Sequence, residues 1–265
     1  MSSMPRRRFV LVLFLLLTGV GALAQRSQPA AAPLTVITSG AFAAAQLQLA
    51  PQFERSSGAT VTTIDAPSMG SGPDTIPGRL GRGEAVDVVI MSSGGLDDLI
   101  KQGHVVAGSR VDLARSAIGV AVRAGAPKPD ISSADALKRA LLQAKSIAIS
   151  SSISGVYISG ELLKRLGVAD QVAKKIKMIE GERVGTVVAR GDAELGFQQV
   201  SELLPVPGID FLGPLPSDLQ RVTLLAAGVG TRAKNPDGAR AFIAFLTSPA
   251  VATVITKSGL EIVSR

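Results

Sequence analysis

Short apolar runs rich in Val, Ile and Leu alternate along this chain with longer stretches whose apolar positions recur at helical spacing. Residues 34–37 form the first run. After it Phe42, Ala45, Leu49 and Phe53 share one face of a helix predicted over 42–56. Residues 61–64 predict a second strand and residues 86–91 a buried third, followed by a helix over 96–102. Between them, 67–78 is dense in Gly, Pro and Ser and predicts a loop, with a short helix around Arg79 and Leu80 that stops near Gly83.

The pattern continues with strands predicted over 117–122, 147–149 and 194–197, and one leading to Ile179. Ser132 or Ser133 caps a helix over 134–143. A helix over 156–166 stops at Gly167, a suitable residue just past a helix end. Residues 185–189 read as helix. Pro205, Pro207, Pro214 and Pro216 read as a stiff connection before a long strand over 222–229. Asn235-Pro236-Asp237 starts a helix to Leu246, and Pro249 opens the last one. Strand, loop and helix in steady alternation predict an α/β fold with mainly parallel sheets.

The N-terminus departs from this pattern. Arg6, Arg7 and Arg8 precede an apolar run to Leu17, and Ala22-Leu23-Ala24 supplies a small-residue cleavage site. Residues 1–24 therefore read as a secretory signal, and 25–33, rich in Ala, Pro and Gln, as a leader. The run is short for a membrane span. A periplasmic location is expected.

Composition narrows the chemistry. With 46% hydrophobic and only 3% aromatic residues, the core must be aliphatic. The net charge of +7 falls by three when the signal arginines leave, and the remaining Lys and Arg are scattered, so no nucleic-acid patch is expected. A mild positive balance suits a small anionic ligand. Without cysteine there is no thiol nucleophile, and one histidine, His104 at a predicted helix end, leaves neither a metal site nor a placed catalytic base.

Three strands end in small polar loops that open helices: Thr38-Ser39-Gly40-Ala41, Ser92-Ser93-Gly94-Gly95, and Ser150 through Gly155. A helix start carries unpaired N–H groups and partial positive charge, so several of them facing one cleft would receive an anion. Any one alone is an ordinary cap or turn.

In this order the segments Leu34-Thr-Val-Ile-Thr-Ser-Gly-Ala-Phe, Arg82-Gly-Glu-Ala-Val-Asp-Val-Val-Ile-Met-Ser, Ser154-Gly-Val-Tyr-Ile, Ala193-Glu-Leu-Gly-Phe and Ala241-Phe-Ile-Ala-Phe-Leu-Thr-Ser-Pro-Ala-Val resemble the periplasmic molybdate-binding proteins, type II solute-binding proteins that feed ABC transporters. The likeness runs from about Leu34 to Val263, and the chain reads as a divergent branch. It implies two α/β lobes, 34–115 with 232–265 and 116–231, that close by hinge motion on a small anion. It implies a monomer that works with an ABC permease and its ATPase, with no cofactor and no catalysis. By position it implies a site from Ser39, Gly40, Ala41, Ser68, Met69, Gly70, Ser71, Ser154 and Gly155. The same resemblance adds a turn over 181–184, and Arg183 there either pairs with a carboxylate or lies exposed. Ala41 replaces the family's first-loop Ser, and Gln199 stands at the family's Tyr position. Gln198 and Gln199 bring acceptors as well as donors, which suits an organic acid better than molybdate or tungstate. One of the two is expected to face the cleft. Tyr157 either lines the cleft or packs within its helix.

Two other functions compete with the transport reading. A secreted hydrolase needs an activated nucleophile, and Gly70-Ser71-Gly72 lacks the spacing of a nucleophile elbow. A sensing module that passes its closed state to a receptor shares every feature of the transport reading.

Overall fold

The structure is a computed structural model that describes residues 33–70 and 72–263. The signal and leader readings fall outside the described residues except at Pro33. The first part of the chain builds β1 (Leu34–Thr38), α1 (Gly40–Ser57), β2 (Val61–Asp65), α2 (Ile76–Gly81), β3 (Val88–Ser92), α3 (Ser93–Lys101) and β4 (Val111–Ser116). The second part builds β5 (Ile118–Arg123), α4 (Ala134–Gln143), β6 (Ile147–Ser150), α5 (Ile153–Tyr157), α6 (Leu163–Arg165), α7 (Ala169–Val172), β7 (Ile176–Ile179), α8 (Val184–Ala189), β8 (Leu195–Gln199), α9 (Val200–Leu203) and β9 (Ile209–Pro214). The chain returns through β10 (Thr223–Val229), α10 (Pro236–Leu246), α11 (Ala252–Lys257) and β11 (Leu260–Ile262).

These strands form two sheets. One has six strands in the order β11-β4-β10-β3-β1-β2, the other five in the order β7-β6-β8-β5-β9. Each is mixed rather than mainly parallel. The β3-β1-β2 and β7-β6-β8 halves are parallel, as βαβ connections require. The other halves are antiparallel because the chain enters them through the crossings between sheets, at Ser116–Ile118 and before Thr223. One sequence boundary needs correction on this point. Residues 223–229, assigned with 116–231 to the second lobe, are β10, the strand between β4 and β3 of the six-stranded sheet.

Three strands escaped the sequence reading. β4 places Asp112 and Arg115 three residues apart, which breaks the period-two alternation of a strand. β9 lies in the proline-rich stretch, at the sheet edge where Pro is tolerated. β11 is only three residues long. Elsewhere the periodicity was a fair guide. α1 and α4 match their predicted spans within two residues, and Gly167 ends the α5–α6 helix with φ near 65°. That helix contains a π turn at Ile158–Leu162, which the sequence does not announce.

Each sheet has its own aliphatic core. Phe42, Phe53 and Phe242 anchor the first, with Phe53 and Phe242 edge to face at 5.0 Å. Phe197, Leu137 and Ile158 belong to the second. Because each core is closed separately, the carboxyl ends of β1, β2, β3, β6 and β8 are left bordering the space between the sheets.

Candidate functional site

That space is a cleft of about 360 Å³. It lies beyond the carboxyl ends of the strands, the usual ligand position in open α/β sheets. From the six-stranded side it receives Ser39, Gly40 and Ala41 after β1, Asp65 through Ser68 after β2, and Ser92 at the end of β3. From the other side it receives Ser150, Ser151 and Ser152 after β6, Arg183 before α8, Gln198 and Gln199 of β8, and Glu202 of α9. Hollows of about 390 and 420 Å³ lie elsewhere, around Lys128 and around Arg123. Neither gathers helix starts. In the cleft, Ser39, Ser92, Ser152, Arg183 and Gln199 are the N-cap residues of α1, α3, α5, α8 and α9.

The start of α1 is the most exposed to a ligand's demands. Ser39 makes no side-chain cap bond, and its Oγ is buried without a hydrogen-bond partner. A buried hydroxyl in that state is costly unless something completes it. The amides of the first turn, at Gly40 and Ala41, have no acceptor within the helix.

Glu202 faces this turn. It is buried, and burial raises its carboxyl from the ordinary carboxylate range to about 7. The Arg183 cation opposes that shift, the Asp65 charge adds to it, and the hydrogen bond from Gln198 opposes it. Gln198 Nε2 donates to Glu202 Oε1 at 2.9 Å, while Gln198 Oε1 accepts from the Val184 amide at 2.9 Å. A side chain at Gly40 would collide with Glu202 Oε1, so the glycine makes room for the acid. Ser201 Oγ donates to the Ala41 carbonyl at 2.7 Å, fixing α9 to α1 from the opposite sheet.

Gln199 serves the crossings. Its amide bridges Ser116 Oγ at 2.6 Å and Thr223 Oγ1 at 3.1 Å, so it joins both places where the chain passes between sheets. Both glutamines therefore border the cleft, and both amides are engaged by protein groups. Arg183 reaches across the cleft toward Asp65, at 4.0 Å.

Of the residues singled out by sequence, Ser39, Gly40, Ala41, Ser68, Gln198 and Gln199 are brought together here. Met69 is partly exposed and neither it nor Gly70 borders the cleft, and Ser71 is outside the described residues. The third loop is shifted by a few residues. Ser150, Ser151 and Ser152 line the cleft, whereas Ser154 is buried with its Oγ 3.0 Å from Ser150 Oγ. Gly155 is packed so closely on the Ser150 carbonyl that no side chain fits. Tyr157 belongs to the second core, with its hydroxyl donating to the Leu219 carbonyl at 2.7 Å. The sequence missed Glu202, Asp65 and Thr223. No local signal marks Glu202, because the partner that buries it, α1, lies about 160 residues away in sequence.

Comparison with known proteins now adds to this geometry. A family model described as "Bacterial extracellular solute-binding protein" matches residues 34–261. The chain belongs to that family. It is 46% identical over 247 residues to the aconitate isomerase of a Pseudomonas species, covering 91% of this chain and 94% of the relative. It is 28% identical over 257 residues to the molybdate-binding protein ModA of Azotobacter vinelandii, again covering 91% and 94%. The solved structure of the Azotobacter vinelandii periplasmic molybdate-binding protein superposes with a TM-score of 0.71 at 22% identity, over 87% of this chain and all of that one. The two-lobed fold and the likeness to molybdate-binding proteins agree with the sequence reading. The expectation of no catalysis does not stand. A relative this similar over nearly its whole length is named as an enzyme, whereas the absence of catalysis was implied only by the resemblance to molybdate-binding proteins.

Proposed function

We propose that the cleft binds a small tricarboxylate and interconverts the cis and trans isomers of aconitate. The near full-length match to an aconitate isomerase carries this reading. The cleft is chemically suited to it. Ser39, the first-turn amides at Gly40 and Ala41, Ser68, and the Ser150–Ser152 turn offer donors to carboxylates, and Arg183 offers a cation that exchanges Asp65 for substrate.

The reaction asks little of the protein. Aconitate carries three carboxylates on a short chain with one double bond and one methylene. Removing a methylene proton and returning a proton at the far end of the double bond moves that bond across a symmetric skeleton. One C–H bond breaks, one forms, and no electrons are gained or lost. The required parts are a carboxylate cradle and a group that exchanges a proton near neutral pH.

The lobes we propose are 34–116 with 223–262, and 118–222, closing about the two crossings that Gln199 joins. A second role, presenting the bound acid as a monomer to an ABC permease and its ATPase from the periplasm, is supported by family membership and is compatible with turnover. Incubating the purified protein with trans-aconitate and following the cis isomer by proton NMR tests the reading. Catalytic amounts of protein bringing the two isomers to equilibrium is the expected result. Stoichiometric binding with no interconversion would overturn it.

A further inference from the structure

We propose that Glu202 is the catalytic residue that takes and returns the substrate proton, and that Gly40 is the seat that holds its carboxyl in the cleft. This rests on the isomerase reading and names the group that performs it.

Among the described residues four ionisable side chains border the cleft: Asp65, Glu182, Arg183 and Glu202. Three are committed or unsuitable. Glu182 is gripped through both oxygens by Arg190, at 2.6 and 2.7 Å, which holds its carboxyl below the usual range. Asp65 is half exposed and faces Arg183. Arg183 is a guanidinium, which binds and orients anions rather than carrying protons. Glu202 differs from the other acids. Among the described residues no cation lies within ion-pair distance of it, and its side-chain hydrogen bond comes from the neutral Gln198 amide. The other proton-transfer groups are elsewhere. Tyr157 is committed to the Leu219 carbonyl in the second core, and the His104 segment lies against Thr231 near the amino end of β3, at the opposite end of the strands from the cleft.

The carboxyl is also held in place. Gly40 does not adopt a positive φ, so its backbone does not require glycine. What requires it is the space taken by Glu202 Oε1. Gln198 fixes the same oxygen from the other side, and Ser201 ties the short helix to α1. Burial, helped by Asp65 and opposed by Arg183 and Gln198, sets the group near 7, where it exchanges a proton readily. The carboxylate takes a methylene proton as the electron pair passes into the allylic system. The carboxylic acid then gives a proton to the other terminal carbon, which restores the carboxylate and moves the double bond.

The test compares wild type, Glu202→Gln, Glu202→Asp and Gly40→Ala. Interconversion of the aconitates is followed by NMR, and binding of propane-1,2,3-tricarboxylate, which cannot isomerise, by calorimetry. Glu202→Gln is expected to lower kcat by about 10²-fold or more while affinity for the saturated analogue stays within a few-fold. Gly40→Ala should lower kcat by about tenfold with an unchanged or raised melting temperature, since only a flexible carboxyl is displaced. Wild-type kcat should rise with pH through a single ionisation that Glu202→Asp moves. A Glu202→Gln enzyme retaining a tenth or more of wild-type kcat overturns the assignment, and so does one that loses affinity as much as turnover. A wild-type protein that binds the analogue but leaves aconitate unchanged instead overturns the isomerase reading itself.

Discussion

Six α-helices among the described residues begin after a Ser, Thr or Asn, and they divide by where they point. Thr75, Ser133 and Asn235 start α2, α4 and α10 away from the cleft, and each accepts a hydrogen bond from an amide in its first turn, at 3.1, 3.2 and 2.9 Å. Ser39, Ser92 and Ser152 start α1, α3 and α5 at the cleft, and none of them caps its helix. The residue types are equally suited to capping. What differs is the demand on the amides. A side chain that completes a helix start withdraws donors from any ligand, so the starts that face the cleft keep theirs open. In those helices other contacts hold the turn: Gly155 against the Ser150 carbonyl in α5, and the α9 contact through Ser201 in α1.

The strongest way to break this contrast is to remove such a contact. Gly155→Ala forces a Cβ into a backbone carbonyl, which cannot move aside as a side chain can. A loss of about 3 kcal/mol or more in urea unfolding is expected. Retained stability would mean the turn is looser than the packing indicates. Next is pH. The Glu202 carboxyl is raised from 4.5 to about 7 in the folded protein, so the native state holds a proton that the unfolded chain releases. Its stabilising share is complete below about pH 4.5 and is lost as pH rises to 7 and beyond, amounting to about 3 kcal/mol. Denaturation midpoints of the ligand-free protein should fall across that window, and Glu202→Gln should flatten the fall. The smallest effect sharpens the contrast most directly. Ser133→Ala should cost about 1 kcal/mol and leave tricarboxylate affinity alone. Ser39→Ala should leave stability nearly unchanged and weaken binding of propane-1,2,3-tricarboxylate by about tenfold, measured by calorimetry. Equal behaviour of the two serines would remove the distinction.

The catalytic and binding readings differ in how far they could be seen in advance. Ser39, Gly40 and Ala41 stand in a strand-loop-helix pattern, and that pattern is local, so their position at the cleft was legible. The third loop was legible only as a segment. Ser150 through Gly155 was recognised, but which of its residues face out depends on how α5 packs on β6. Gln199 borders the cleft and also joins Ser116 to Thr223, a bridge between the two crossings that no local pattern announces. Arg183 could be read in sequence either as pairing with a carboxylate or as exposed, and the structure turns it across the cleft toward Asp65.

By itself the sequence determined the α/β alternation, the aliphatic cores, the helix starts and the family likeness. Each depends on neighbours within a few residues or on the total supply of apolar side chains. Only the tertiary structure decided that β10 returns to the first sheet, that Tyr157 is a core residue, and that an acid in an unremarkable Ser-Glu-Leu stretch is buried at neutral affinity. The proton affinity of Glu202 comes from what surrounds it: α1 and Gly40 from one sheet, Gln198 and Arg183 from the other. Desolvation and charge act through space, and the groups that supply them meet only when the chain has crossed between the sheets and come back.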